Sequence, residues 1–143
     1  MEAKNLIAKA EITVIVTANK AWEALTNAKQ IEKYMFGTTV TSGWKKGSTI
    51  TWKGEMDGKK YEDKGKILKI DPEKKLQYSH YSPLSKLTDK PENYHTVTID
   101  LTTKKNKTSI TLTQDKNGSE KGQKQSEKNW ATMLEGLKDL LEK

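Results

Sequence analysis

Apolar residues occupy alternate positions along most of seven segments of this sequence that are predicted to be strands, a pattern typical of β-strands with one buried face. The first segment shows the alternation most clearly, because Ile12, Val14 and Val16 are each separated by a single residue. The predicted strands cover Lys4–Thr17, Thr38–Ser42, Ser48–Met56, Lys60–Ile70, Leu76–His80, Tyr94–Thr102 and Thr108–Gln114.

Other segments follow helical spacing. Asn19 is expected to cap a short helix around Ala21–Leu25, and a second short helix is predicted over Ala28–Tyr34. A long C-terminal helix is predicted from six apolar residues at the spacing of one helix face, namely Trp130, Met133, Leu134, Leu137, Leu140 and Leu141. The opposite face is expected to lie in water and carries Glu135, Lys138, Asp139 and Glu142.

Turn residues join the later strands into consecutive hairpins. Asp57-Gly58 favours a type I′ turn, and Asp71–Lys74 places Pro72 where a type I turn favours it. Ser82–Asn93 contains two prolines and is predicted to be a long loop that gates any internal site. A strongly curved antiparallel sheet cannot touch one long helix along its whole concave face. We therefore expect an α+β fold with a cavity between the sheet and the C-terminal helix.

The amino-acid composition limits the size of the core and the kinds of reactive or metal-binding site that the protein can form. The 143 residues fit one domain, residues 1–143, and an apolar fraction of 33% predicts a thin or partly hollow core. The sequence has no cysteine and two histidines, so disulfides, thiolate nucleophiles and three-histidine metal sites are excluded. No metal and no cofactor are expected. No apolar run reaches the length of a membrane span, which predicts a soluble, cytoplasmic protein without membrane insertion.

The net charge of +7 raises the question of nucleic acid binding. All 26 basic residues are lysine, however, and arginine is the side chain best suited to bidentate contacts with guanine and phosphate. The lysines are also interleaved with acidic residues along the whole chain. A solvated surface explains them better than a specific nucleic acid site.

Several strings, in this order and spacing, resemble the birch-pollen-allergen/START/polyketide-cyclase (SRPBCC) superfamily. The resemblance is strongest to the group similar to the C-terminal domain of activators of the heat-shock protein 90 ATPase. The matching segments are Ala21–Thr26, Trp44–Ser48, Tyr61–Leu68, Leu112–Gln114 and Asn129–Leu141. The resemblance implies a helix-grip fold, in which a curved antiparallel sheet wraps around the long C-terminal helix and two short helices follow the first strand. It does not imply one reaction, because the superfamily includes lipid carriers, cyclases, hormone receptors and chaperone activators.

Alternation also predicts which side chains line the cavity. Tyr78 and His80 share a face with Leu76, His95 shares one with Val97, and Gln114 with Leu112. The predicted ligand-binding set is Trp52, Tyr61, Asp63, Tyr78, His80, His95, Gln114, Trp130 and Met133. The alternative is that the histidines and Gln114 bond to loop backbone or water near the strand ends, while the aromatic residues are core.

These expectations lead to three candidate functions. The first is binding of a small hydrophobic or amphiphilic molecule in the cavity, by a monomer or weak dimer. The second is a protein-interaction module that modulates a chaperone ATPase; eukaryotic activators carry an additional N-terminal chaperone-binding domain, whereas this sequence begins at the predicted first strand. The third is a cyclase or hydrolase using His80 or His95 as base with Asp63, although no spacing brings these residues together, so no catalytic residue is predicted.

Overall fold

The computed structural model describes residues 6–35, 37–56, 58–83, 88–117 and 119–142. They form a curved antiparallel sheet with a long C-terminal helix, which confirms the predicted α+β helix-grip architecture. In chain order the elements are β1 (Leu6–Val14), α1 (Ala18–Thr26), α2 (Ala28–Tyr34), β2 (Thr39–Ser42), β3 (Thr49–Met56), β4 (Lys59–Asp71), β5 (Lys75–His80), a 3-10 turn (Pro91–Asn93), β6 (His95–Lys104), β7 (Lys107–Asn117) and α3 (Glu120–Leu141).

The strands lie in the order β1-β7-β6-β5-β4-β3-β2. Strands that follow each other in the chain are therefore neighbours from β2 to β7, whereas β1 lies next to β7. Strand β4 holds the two halves of the sheet together. Its first part, through Lys66, pairs with β3, and its last part, from Ile67, pairs with β5. A register shift between Ile67 and Lys69 marks the change, and irregularities of this kind bend a strand.

Helix α3 covers the concave face of the sheet as its apolar spacing predicts. Met133, Leu134, Leu137 and Leu141 are buried, whereas Trp130 and Leu140 are partly buried against the same core. Burial of four such side chains stabilises the fold by about 6–12 kcal/mol before opposing entropy is counted. Packing against the sheet, more than intrinsic propensity, therefore holds this helix in place.

Polar side chains of α3 cover the open edge of β1, which the sequence did not predict. Four hydrogen bonds join side chains of α3 and of its C-cap residue Glu142 to the backbone of β1 and of the residue after it. They are Gln123 Nε2 to Ile7 O (2.7 Å), Lys9 N to Glu127 Oε2 (3.0 Å), Lys138 Nζ to Thr13 O (3.0 Å) and Ile15 N to Glu142 Oε2 (2.9 Å). Lys138 and Glu142 lie on the exposed face, as the spacing predicts, and they also satisfy backbone groups of the open strand edge.

Two local predictions are also corrected. Thr17, not Asn19, caps α1, because its hydroxyl accepts a hydrogen bond from Lys20 N at 3.3 Å. The turn after β4 is not type I, because Glu73 has a φ of 68°, which a type II turn requires at its third residue. Gly58 has the positive φ expected of its turn, at 79°, whereas Asp57 lies outside the described residues.

Within the described ranges, none of the helices combines the length and apolar character needed to span a bilayer.

Replacement of Leu137 by alanine tests the burial of α3. Leu137 is fully buried, so Leu137→Ala should lower the free energy of unfolding by about 2–5 kcal/mol through lost transfer energy and a cavity. Denaturant unfolding measures this change. Asp139→Ala on the exposed face is the control and should stay within about 0.5 kcal/mol of wild type. Equal effects of the two variants would contradict the assigned face.

Candidate functional site

A row of polar side chains crosses the concave face of the sheet near one end of its central strands. Its four members lie on neighbouring strands and are called the interior polar row: Asp63 on β4, His80 on β5, His95 on β6 and Gln114 on β7. His80 is directly opposite His95, and Gln114 is opposite Val97. Alternation gives the inward face of His80, His95 and Gln114 correctly, and Asp63 lies on the same face because its carboxylate contacts His80.

Asp63 and His80 form the centre of the row. His80 Nε2 donates to Asp63 Oδ2 at 3.0 Å. The Asp63 side chain is 15% exposed and the His80 side chain is 28% exposed. The second carboxylate oxygen, Asp63 Oδ1, is buried and has no hydrogen-bond partner in the described part of the chain. A buried polar atom left without a partner costs about 1–3 kcal/mol, so it indicates a place where a further group can bind.

Aromatic rings enclose this pair. The Trp52 ring lies 4.9 Å from the His80 ring in an edge-on arrangement and 5.1 Å from the Tyr78 ring. Trp52 is also opposite Asp63 in the β3–β4 register. Both Trp52 and Tyr78 are buried, and burial raises the pKa of the Tyr78 phenol above its ordinary range. The Asp63–His80 pair therefore lies beside a largely apolar wall, where electrostatic interactions are stronger than in water.

The other half of the row is anchored on β7 and α3. Trp130 Nε1 donates to Gln114 Oε1 at 2.5 Å, and Met133 is buried on the same helix. His95 Nδ1 lies 2.8 Å from the backbone oxygen of Asp115, and this nitrogen must donate because a carbonyl oxygen only accepts. The alternative prediction, in which polar residues near strand ends satisfy backbone groups, therefore describes His95.

Tyr61 lies apart from the row. Its hydroxyl shares a hydrogen bond of 2.6 Å with Oγ1 of Thr38, the residue before β2, and a Cβ at Gly54 would overlap the same hydroxyl. Four of the nine predicted residues form one group in contact around His80, namely Trp52, Asp63, Tyr78 and His80 itself. Gln114 and Trp130 form a second group. These two groups flank His95. Among the described residues, no three histidine, aspartate or glutamate side chains are grouped to hold a metal ion.

Sequence reasoning missed the part played by Asp115. Strand β7 was predicted to end at Gln114, but it continues to Asn117 through an irregular segment in which Lys116 has a φ of 56°. There Asp115 holds His95 through its backbone oxygen and accepts a 2.6 Å hydrogen bond from Thr96 N. No glycine marks this positive φ, so the sequence carries no signal for it.

The curved sheet, the covering helix and the partly polar interior are those of a helix-grip protein. The family model described as "Activator of Hsp90 ATPase homolog 1-like protein" matches residues 16–142, and the chain belongs to that family. This confirms the resemblance found in the sequence. Comparison with curated proteins gives no match.

Several solved structures share this fold. The chain is similar to ChR145 from Cytophaga hutchinsonii, with 57% identity over 99% of this chain and 96% of the other and a TM-score of 0.86. It also shares the fold of the Aha1 dimer from Colwellia psychrerythraea, at 23% identity over 96% of both chains and a TM-score of 0.75. CalU16 from Micromonospora echinospora has the same fold at 15% identity, over 99% of this chain and 87% of the other, with a TM-score of 0.70.

Alkaline pH tests the apolar environment of Tyr78. Its folded-state pKa is raised above the ordinary value of 10.0, so its stabilising contribution is present below pH 10 and is lost as pH rises further. Between pH 10 and pH 12, wild-type stability should fall more steeply than that of Tyr78→Phe, by up to about 1.4 kcal/mol per pH unit. Denaturant unfolding at several pH values measures both slopes. Identical slopes would mean that Tyr78 ionises as freely in the folded state as in the unfolded state.

Proposed function

We propose that this protein binds a small amphiphilic molecule between the curved sheet and α3, and that the bound molecule donates a hydrogen bond to Asp63. The observation that carries the proposal is the buried Asp63 Oδ1, which has no partner in the described part of the chain. The family assignment supports a grip-type interior as the place of binding.

The chemistry of Asp63 defines the polar group of the ligand. An ionised carboxylate only accepts hydrogen bonds, and Oδ2 is already occupied by His80 Nε2. The remaining oxygen therefore requires a donor, such as a hydroxyl, a phenol or an amine. A ligand carboxylate at this position would be repelled by the like charge.

The aromatic residues define the rest of the ligand. Trp52 and Tyr78 present apolar ring surface next to the carboxylate, and Met133 and Trp130 extend apolar surface onto α3. Small-molecule sites commonly combine a mainly apolar lining with a few polar groups that fix orientation. A flat apolar body that carries one donor matches this arrangement.

A second candidate function is modulation of a chaperone ATPase. The family description, which refers to activators of the Hsp90 ATPase, favours it. Such a role would use the protein surface, where exposed lysines are frequent, and would weaken as salt screens the charges. It predicts that the chaperone perturbs surface residues and leaves the interior polar row unchanged.

Binding of 2-naphthol, compared with 2-methoxynaphthalene, tests the first proposal. Both probes have the same ring system, but only 2-naphthol has a donor. In NMR titrations, 2-naphthol should shift the signals of Trp52, Tyr78 and His80 and should bind about tenfold tighter or more, since hydrogen bonds to charged groups contribute about 1.5–3 kcal/mol. In Asp63→Ala this preference should disappear.

Asp100→Ala is the matched control, because Asp100 is a carboxylate on β6 that pairs with Lys75 outside the interior polar row. It should leave the preference for 2-naphthol unchanged. Equal affinity of wild type for the two probes would contradict the role of Asp63. If neither probe causes saturable interior shifts and added Hsp90 shifts surface signals, the second candidate replaces the first.

A further inference from the structure

A groove of about 580 Å³ lies on the convex face of the sheet, opposite the interior polar row. Lys64, Lys66 and Ser79 line it, and these residues alternate along β4 and β5 with the inward-facing Asp63 and His80. Because successive side chains of a strand point to opposite faces, the groove and the interior site are separated by the sheet itself.

The segment before β6 forms one wall of the groove. It includes Asp89, Pro91 and Tyr94, and it folds against the outward-facing residues of β4 and β5. Tyr94 stacks on Tyr81 with ring centres 5.2 Å apart. This wall is therefore built on an aromatic contact with the residue that follows β5.

Polar contacts fix this wall at both ends. Asp89 accepts hydrogen bonds from the Lys64 ammonium and, at 2.6 Å, from the Tyr94 hydroxyl. The Lys64 contact holds the pKa of Asp89 below its ordinary value. On the other side, Lys116 Nζ donates to the Glu92 backbone oxygen at 3.3 Å. A ligand would thus find the groove already formed, which lowers the ordering cost of binding.

The charge of the groove is positive. Among the described residues, three lysines line it, Lys64, Lys66 and Lys116, against one carboxylate, that of Asp89. Asp89 pairs with Lys64, whereas the Lys66 ammonium forms no ion pair with a described residue. The floor adds a further donor, because Ser79 Oγ accepts from Lys66 N at 2.9 Å and its own hydroxyl proton remains available.

We propose that this convex groove binds a small aromatic carboxylate. Its ring lies against Pro91 and Tyr94, and its carboxylate interacts with the positive charge of Lys66 and Lys116. The groove volume falls in the range of about 300–1,000 Å³ that is usual for small-molecule sites. The ligand preferred by the groove is negatively charged, whereas Asp63 in the interior site excludes anions. The proposal does not depend on the interior ligand.

Naphthalene-2-carboxylate and its neutral isostere naphthalene-2-carboxamide test this proposal. In NMR titrations at low salt, the carboxylate should cause saturable shifts in the amide signals of Lys66, Thr96 and Lys116. The carboxamide should bind more weakly, and added salt should reduce the affinity of the carboxylate only. Shifts confined to Trp52 and Tyr78, or no saturable shifts, would overturn the proposal.

Substitutions on β4 separate a specific site from general attraction by a basic protein. Lys66→Glu should weaken carboxylate binding about tenfold or more, as expected when an attractive charge becomes repulsive, and Lys66→Arg should retain binding. Lys69→Glu is the matched control, since Lys69 is an exposed lysine on the same strand outside the groove. Comparable losses in Lys66→Glu and Lys69→Glu would overturn the proposal, because net charge alone would then explain binding.

Discussion

The close approach of β4 and β5 at Gly65 is the constraint on which the rest of the structure depends. A Cβ at this position would overlap the backbone oxygen of Ser79, so only glycine permits the contact. The neighbouring Lys66 N donates to the Ser79 side chain at 2.9 Å, and the pairing of β4 with β5 begins at Ile67. Strand β4 can therefore turn from one half of the sheet into the other. The same close approach of the two strands lies next to the contact between Asp63 and His80.

Elements with a simple repeat could be predicted from the sequence. Two-residue alternation gave the strands, and the spacing of Leu134, Leu137 and Leu141 gave the buried face of α3. The polar contacts of α3 could not be predicted in the same way. Lys138 and Glu142 lie beside the apolar face, and only the position of the helix along β1 shows that they bond to its open edge. The prediction of the residue that caps α1 was wrong for a related reason. Thr17 and Asn19 lie two residues apart, and both are residue types that favour the N-cap.

For the candidate site, alternation predicted which residues face inward but not which of them meet. The Asp63–His80 hydrogen bond joins two strands beside the close approach at Gly65, and the anchoring of His95 depends on an irregular backbone at Lys116. The convex groove could not be predicted from Ser82–Asn93, because its two prolines indicate a loop but not the face of the sheet on which that loop lies. Asp89 ties the later part of this loop to the convex face, while residues 84–87 lie outside the described part of the chain. Gating of the interior stays a prediction.

Replacement of Gly65 by alanine tests the central claim that this contact shapes both the sheet and the interior site. The account predicts that Gly65→Ala lowers the free energy of unfolding by about 2 kcal/mol or more and shifts the side-chain NMR signals of His80. Gly136→Ala is the control, because a Cβ there makes an ordinary 3.5 Å contact with Tyr34 and alanine favours a helix by up to about 1 kcal/mol. A Gly65→Ala protein as stable as wild type, with unchanged His80 signals, would contradict the account.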